Sequence, residues 1–189
     1  MLYTQSVRDL DIRLQLRAEL AQRFAGDIIR GELGLCLGQT RVDLAVVNGH
    51  LHGYEIKSER DTLTRLPMQI ELYNRVLDFS TAVCSIRHLD RILEQVPDEW
   101  GVIAATSSFD QIKLTSIREP SLNTSPDPLA IAQLLWRDEA AWVLTSRGER
   151  VRSRETRWNL WDRLAVLPLW TLQDQVRLML KERQQWPGG

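Results

Sequence analysis

Residues 41–57, "RVDLAVVNGHLHGYEIK", restrict the fold of this chain more than any other segment. Two runs rich in small, β-branched and apolar residues, at 41–47 and 51–57, flank the pair Asn48-Gly49. Asn and Gly both adopt a positive φ at low cost, so the pair favours a tight connection between antiparallel strands. The segment therefore predicts a β-hairpin around which a larger sheet must be built.

The remainder of the first 117 residues alternates between helical and strand patterns. An amphipathic helix is predicted over 5–25, with Leu10, Leu14, Ala21 and Phe24 on its apolar face. Further helices are predicted from Pro67 to about Val76 and over 88–95, and further strands over 27–35, 80–86, 101–106 and 111–117. Helices and strands in this order around a central hairpin predict an α/β fold, a mixed central sheet flanked by helices.

The composition changes at residues 120–128, "PSLNTSPDP", which are rich in Pro and Ser. Such a stretch is typical of a linker, so we predict a core over 1–119 and a helical C-terminal extension over 129–189. Its helices are predicted at 127–137, 138–146, 155–166 and 170–184. Most of the seven tryptophans lie in this extension, and helical spacing such as that of Trp158 and Trp161 favours core packing over base stacking.

Composition limits the function classes only loosely. No apolar run approaches the roughly 20 residues that span a bilayer, and no signal sequence is evident, so a cytoplasmic protein without a membrane partner is expected. The net charge is −1. Acidic residues predominate in the first 110 positions and basic residues after 147, which suits a cation and phosphates respectively. Cys36 and Cys84 are expected to be buried reduced thiols.

The hairpin register decides whether its acids meet. A two-residue loop pairs Val47 with His50 and sends Asp43 and Glu55 to opposite faces. A three-residue loop pairs Val47 with Leu51, so that Asp43 lies opposite Glu55 and shares a face with Lys57. The sequence favours the second register, because it groups the apolar residues Val42, Leu44, Val46, Tyr54 and Ile56 on the other face.

Two carboxylates at this distance repel each other, and a divalent cation with oxygen ligands relieves the repulsion. The carbonyl of Ile56 is a further oxygen ligand in this interpretation. Lys57, one strand step beyond, is then placed to stabilise charge on a phosphate. The alternative from spacing alone is a surface salt bridge between Lys57 and Asp43 or Glu55.

Gln69 and Tyr73, four residues apart on a predicted helix, complete a pattern. The order Gly38…Asp43, Glu55-x-Lys57, Gln69-x-x-x-Tyr73 resembles the PD-(D/E)XK nuclease superfamily, most closely its RecB-like and Cas4-like branch. It also resembles a small stand-alone bacterial family of predicted restriction-endonuclease-like proteins. The resemblance covers about residues 5–110, and it departs from the superfamily motif at Val42, where the motif has Pro.

This resemblance implies a restriction-endonuclease-like sheet and a role for each matched residue. Asp43 and Glu55 match metal-binding carboxylates, and Lys57 matches the catalytic lysine. Gln69 and Tyr73 match the helix residues that support the site or contact the DNA backbone. Glu32 matches the additional acid of many members, with Glu19 on the first helix as a rival. The implied cofactor is Mg²⁺ or Mn²⁺, bound by Asp43, Glu55, Ile56 and Glu32.

Several cationic and polar residues are candidates for DNA contact, with solvated charge as the alternative. Four flank the predicted site, and four belong to the basic stretch 147–157: Arg41, Ser58, Arg60 and Arg65, then Arg147, Arg150, Arg152 and Arg154.

The expected function is metal-dependent hydrolysis of DNA phosphodiester bonds, in DNA repair or in defence against foreign DNA. Two alternatives stay open: a catalytically silent module that binds nucleic acid or protein, and an interaction protein that docks through its tryptophan-rich end. A homodimer or a protein partner at those C-terminal helices is a further expectation. The sequence does not distinguish endonuclease from exonuclease action.

Overall fold

A six-stranded mixed sheet organises the fold in the computed structural model, which describes residues 8–108, 111–184 and 186. The strands are β1 (Ile28–Leu35), β2 (Thr40–Val47), β3 (Leu51–Lys57), β4 (Phe79–Ser85), β5 (Gly101–Ser108) and β6 (Gln111–Arg118). They lie side by side in chain order. The pairs β3–β4 and β4–β5 are parallel, and the other neighbours are antiparallel. The predicted α/β class, with a mixed sheet flanked by helices, is confirmed.

Helices cover both faces of this sheet. Within the described ranges they are α1 (Asp9–Arg23), α2 (Leu66–Asn74), α3 (Leu89–Gln95), α4 (Pro128–Ala132), α5 (Arg137–Ser146), α6 (Arg157–Ala165) and α7 (Leu169–Glu182). Helix α1 packs on one face, in a small core with residues of β2 and β3. The other face carries the larger core, to which α2, α3 and α4–α7 contribute. Each described helix is too short or too polar to cross a bilayer.

The first helix forms, but its predicted apolar face is wrong for Leu10, Leu14 and Ala21, which are exposed, and correct only for Phe24, which packs against the small core just after the helix ends. Leu10 and Leu14 are 58% and 59% exposed, whereas Ile12, Leu16 and Leu20 are buried against the sheet. The two sets differ by two positions, about 200° around a helix with 3.6 residues per turn, so they lie on opposite sides. The side of the helix that carries Ile12 faces the sheet, because it packs against apolar residues of β2 and β3. Residues 5–7 of the predicted helix lie outside the described residues.

The hairpin adopts the predicted three-residue connection, with Val47 paired with Leu51. The face assigned to Val42 is wrong, because Val42 joins the larger core with Ala45 and Val47. The alternation of β2 is interrupted at Asp43, where the ladder with β1 skips one pair. The residue opposite, Glu32, has a φ of 56°, and this left-handed conformation marks the irregularity.

The predicted linker, residues 120–128, leads from the sheet into α4 and is bonded to the segment that follows α2. The Asn123 amide donates to the carbonyls of Asn74 and Leu77, and Asp127 pairs with Arg75. The C-terminal helices bury leucines in the same core as β2, α2 and β4. The predicted core and extension therefore share one hydrophobic interior, because the helices cover a sheet face that would otherwise be exposed.

The prediction that the C-terminal tryptophans form core is correct for Trp161 and wrong for Trp136, Trp142, Trp158 and Trp170. Trp161 is buried, and its indole N–H donates to the carbonyl of Leu135. The other four side chains are exposed. On α6 only one side of the helix faces the core. Trp158, three positions before Trp161, lies at the edge of that side and contacts the Trp161 ring.

Candidate active site

The ladder between β2 and β3 ends at the pair Leu44–Tyr54, one step before Asp43 and Glu55. There the carboxylate of Asp43 replaces a backbone acceptor, and its Oδ2 accepts a hydrogen bond from the Ile56 amide at 2.7 Å. The two strands therefore separate at this end of the hairpin. A cavity of about 360 Å³ opens between them, β1 and the start of α2.

This acid cavity collects most of the residues that the sequence motif singled out. It is lined among others by Glu32, Asp43, Glu55, Ile56, Lys57 and Gln69. The shared lining agrees with the predicted side-by-side placement of the two hairpin acids. Asp43 and Glu55 are not paired in the β2–β3 ladder. The Asp43 side chain instead bonds to the Ile56 amide, where the two strands have separated.

Glu55 is the most heavily hydrogen-bonded group of the cavity. Its Oε1 accepts from Lys57 Nζ and from Gln69 Nε2, both at 2.6 Å, and its Oε2 accepts from the Tyr73 hydroxyl. Lys57 also donates to the side-chain oxygen of Gln69 at 2.9 Å. The prediction that Gln69 and Tyr73 project toward the hairpin acids is confirmed, since one helical turn of α2 places both beside Glu55.

Burial strengthens the attraction between Glu55 and Lys57, and it also raises the free energy needed to keep either group charged inside the protein. Glu55 is 3% exposed and Lys57 is 4% exposed, so each is the ionic partner that makes burial of the other tolerable. The alternative of a salt bridge between Lys57 and Glu55 is confirmed as an ion pair and is wrong only in its location, because the pair lies inside the protein. The Tyr73 hydroxyl also lies 2.8 Å from the carbonyl oxygen of Arg41. Burial, and then the neighbouring Glu55 carboxylate, raise the pKa of Tyr73.

Asp43 is the carboxyl whose ionisation the cavity disfavours. Burial first, and then the charge of Glu55, raise its pKa to about 6, against opposing effects of the Ile56 amide and of Arg13. An acid held in this way gains from any additional positive charge close by. A raised pKa of Asp43 is the direction expected when burial and a second carboxylate both disfavour its charge.

Arg13, which the sequence analysis did not identify, supplies such a charge. Its guanidinium donates to Asp43 Oδ1 at 2.7 Å and to Glu32 at 2.9 Å, and it lies 3.4 Å from Asp9. Glu32 and Asp9 both line the acid cavity. Glu19, the rival to Glu32, lies on another cavity and bonds to a neighbouring glutamine, so the structure does not bring it to this site.

Divalent cations bind to oxygen ligands, and the donors of the acid cavity are of that type. Asp43, Glu55 and the Ile56 carbonyl fit Mg²⁺ or Mn²⁺ in their chemistry. Among the described residues, however, no three His, Cys, Asp or Glu side chains are arranged as a ready metal site. Arg13 already binds the Asp43 carboxylate, so a cation at this acid would compete with the guanidinium.

Comparison with known proteins adds a family. A family profile described as "Bacteriophage P4 protein cII" matches residues 12–186. The chain belongs to this family. Protein cII of Enterobacteria phage P4 is 30% identical over 115 residues, which cover 60% of this chain and 44% of that protein. The chain thus aligns with less than half the length of that relative.

Among solved structures, a protein of unknown function from Silicibacter pomeroyi is similar, with 17% identity and a TM-score of 0.44. The alignment covers 82% of this chain and 99% of that one. Family membership extends over the hairpin, α2 and the C-terminal helices alike, which accords with their common core.

In this member of the cII family, the four predicted DNA contacts around the hairpin have different environments. Arg41 and Arg65 are exposed and line the acid cavity. Arg60 is exposed on a neighbouring cleft. Ser58 is buried, and its hydroxyl donates to Asp61 at 2.6 Å, so it does not face a phosphate.

The basic stretch near residue 150 forms a site of its own. Arg147, Arg150, Arg152 and Arg154 are all exposed, and the last three line a cleft of about 650 Å³ with Arg163. Arg163 is already paired with Glu149 and Glu155. None of the residues that line this cleft lines the acid cavity. These arginines are therefore brought together with one another, and not with the hairpin acids.

Proposed function

We propose that this protein is a metal-dependent nuclease that hydrolyses DNA phosphodiester bonds at the acid cavity. The observation that carries the proposal is the convergence of Asp43, Glu55, Lys57 and Gln69 on one cavity, with Tyr73 bound to Glu55 from behind. Together with the resemblance to PD-(D/E)XK nucleases, this convergence supports the activity better than the isolated motif does.

In this proposal Asp43, Glu55 and the Ile56 carbonyl hold Mg²⁺ or Mn²⁺, with Glu32 as an additional acid. When bound, such a cation lowers the pKa of water and stabilises negative charge on a phosphate. The protein's own contribution is to keep the buried carboxylate of Glu55 and the half-buried carboxylate of Asp43 at one cavity. The raised pKa of Asp43 supports this role, because an acid that resists ionisation gains most from a nearby cation.

Lys57 is proposed to stabilise the charge that builds on the phosphate during hydrolysis. A buried ammonium group acts more strongly on a nearby charge than one in water, because the surroundings screen it less. Gln69 and Tyr73 have positioning roles, since they bind the Glu55 carboxylate and fix its orientation. A carboxylate held by three donors does not need to reorganise during the reaction.

A second candidate is a module that binds nucleic acid or protein without cleaving it. One observation favours it: Arg13 and Lys57 already neutralise the two acids, as structural ion pairs would. The exposed tryptophans of the C-terminal helices suit a protein partner or a second copy of the chain. For the nuclease we propose DNA as the partner, a cytoplasmic location, and a role in repair or in defence against foreign DNA.

The test combines metal binding with cleavage in three proteins. Wild type should bind Mn²⁺ in a calorimetric titration and cleave a DNA duplex. Asp43→Asn should lose both properties, because it removes a metal ligand. Lys57→Gln should keep metal binding and lose cleavage, since its proposed role lies in the transition state.

Lys113→Gln is the matched control, because Lys113 is an exposed lysine of β6 far along the sheet from β3. It should behave like wild type in both assays. Circular dichroism must first show that every variant is folded. Cleavage by Asp43→Asn at the wild-type rate would contradict the nuclease proposal and favour the binding module.

A further inference from the structure

A second cavity adjoins the acid cavity and shares one wall with it. It has a volume of about 870 Å³ and lies between the loop after β3 and the segment from Arg87 to Gln95, which includes α3. Asp61 lines both cavities. The two cavities are therefore neighbours on the protein, separated by no more than Asp61, and one chain-like ligand is long enough to contact both.

Three arginines line this space, and we call Arg60, Arg87, His88 and Arg91 the basic cleft. The arginines are exposed, and none of them forms an ion pair with a carboxylate of the described residues. Their guanidinium groups suit phosphate oxygens, which they bind in a bidentate manner.

Two acids also line the cleft, and they reduce its charge without cancelling it. Asp61 directs one carboxylate oxygen to the amide and hydroxyl of Ser58, at 2.7 and 2.6 Å. Glu59 is half-buried at the edge. Three arginines against these two acids leave one net positive charge, with His88 left out of the count.

His88 provides the independent sign that a ligand belongs here. Its side chain is only 7% exposed, and its Nε2 is buried without a hydrogen-bond partner among the described residues. A buried polar nitrogen with no partner costs free energy, so native proteins rarely retain one without a reason. His88 is one of the residues that line the basic cleft, and its enclosed Nε2 would need a rotation of the ring to donate to an oxygen of a phosphate bound there.

We propose that the basic cleft binds the phosphate groups of a nucleic-acid strand that continues from the acid cavity. His88 contacts a phosphate at the base of the cleft, and Arg87 and Arg91 hold the backbone from the rim. The proposal rests on the proposed function only in taking the ligand to be a nucleic-acid strand. It assigns roles to Arg87, His88 and Arg91 that the motif around the hairpin does not include.

The experiment measures binding in EDTA, so that cleavage does not contribute. A fluorescent single-stranded oligonucleotide is titrated by anisotropy at several KCl concentrations. Each lost phosphate contact lowers the salt slope by roughly 0.7 on a single strand, so Arg87→Ala/Arg91→Ala should lower it by about 1.4. Arg17→Ala/Lys181→Ala, which removes two exposed cations outside both cavities, is the matched control and should leave the slope nearly unchanged.

A second measurement follows the three histidines by ¹⁵N NMR, with His88→Gln to assign the signal of His88. The Nε2 signal of His88 should move when the oligonucleotide is added. A shift with inorganic phosphate alone, and none with the oligonucleotide, would overturn the assignment to a strand. An unchanged salt slope in the arginine variant would overturn it as well.

The two proposals fail in different ways. If wild type cleaves DNA but the arginine variant binds the oligonucleotide like wild type, only the basic cleft is refuted. If wild type cleaves nothing but the slope falls and the His88 signal moves, the nuclease proposal fails. The cleft then stands as a nucleic-acid site of a binding module.

Discussion

Asp43→Asn is expected to stabilise the metal-free protein at neutral to alkaline pH, although it removes a proposed metal ligand. Burial and the charge of Glu55 raise the pKa of Asp43 from 3.8 to about 6. Since each pKa unit corresponds to about 1.4 kcal/mol, ionised Asp43 costs on the order of 3 kcal/mol of folding free energy. Asparagine carries no charge, and its side-chain oxygen still accepts from the Ile56 amide.

The sign of the pH dependence follows from the direction of this shift. Folded Asp43 holds its proton more tightly than the unfolded chain does. Its contribution to stability is therefore fully present below about pH 4 and is lost as the pH rises through about 6. Wild type and Asp43→Asn should have similar free energies of unfolding near pH 4 and should differ by about 2–3 kcal/mol near pH 8.

Urea denaturation in EDTA, followed by tryptophan fluorescence at both pH values, measures this difference. Asp162→Asn is the control, because Asp162 is an exposed aspartate of α6. It should change the free energy of unfolding by less than about 0.5 kcal/mol at either pH. If Asp43→Asn is less stable than wild type near pH 8, the reasoning is refuted. The ion pair with Arg13 would then outweigh burial and the repulsion from Glu55.

Three other substitutions test the packing of the site and of the sheet by chemical denaturation. Tyr73→Phe should cost about 1–3 kcal/mol, because it leaves a buried oxygen of Glu55 without its donor, and an unchanged stability would contradict that contact. Lys57→Gln should cost about 3 kcal/mol, because it leaves the Glu55 carboxylate without its ionic partner. Adding Glu55→Gln should restore most of this loss, and free-energy changes that simply add would argue against coupling between the two residues. Gly101→Ala should cost about 1–3 kcal/mol, because a Cβ there would lie 2.6 Å from a threonine hydroxyl, whereas Gly34→Ala meets nothing within 4 Å and should be nearly neutral.

The parts of the site that the sequence could predict are those set by local periodicity. The hairpin itself follows from Asn48-Gly49, and its three-residue connection was chosen from the alternation of apolar residues along the two strands. The two-residue period of a strand puts Glu55 and Lys57 on one face, and the helical period puts Gln69 and Tyr73 on one side of α2. These short-range rules were sufficient to predict that Glu55, Lys57, Gln69 and Tyr73 lie together, as the structure shows.

The parts that could not be predicted depend on contacts between distant segments. Arg13 reaches Asp43 across 30 positions of sequence, and no spacing rule encodes that distance. The face of α1 was wrong because two apolar stripes were present, and only the docked sheet selects one of them. The exposed tryptophans were missed for a similar reason, since helical spacing does not reveal which helices lie at the edge of the core. Arg87 and His88 are adjacent to the site only through the parallel pairing of β3 with β4.

The most direct test of the central claim is a cleavage measurement with Mg²⁺ or Mn²⁺ on linear, circular, single-stranded and branched DNA. Wild type is expected to cut at least one of these substrates, and EDTA should abolish the cut. Glu55→Gln is isosteric and retains a hydrogen-bond acceptor, and it is expected to be folded and inactive on the same substrate. Cleavage by Glu55→Gln at the wild-type rate, or no cleavage of any substrate by folded wild type, would contradict the claim that the acid cavity is a nuclease active site.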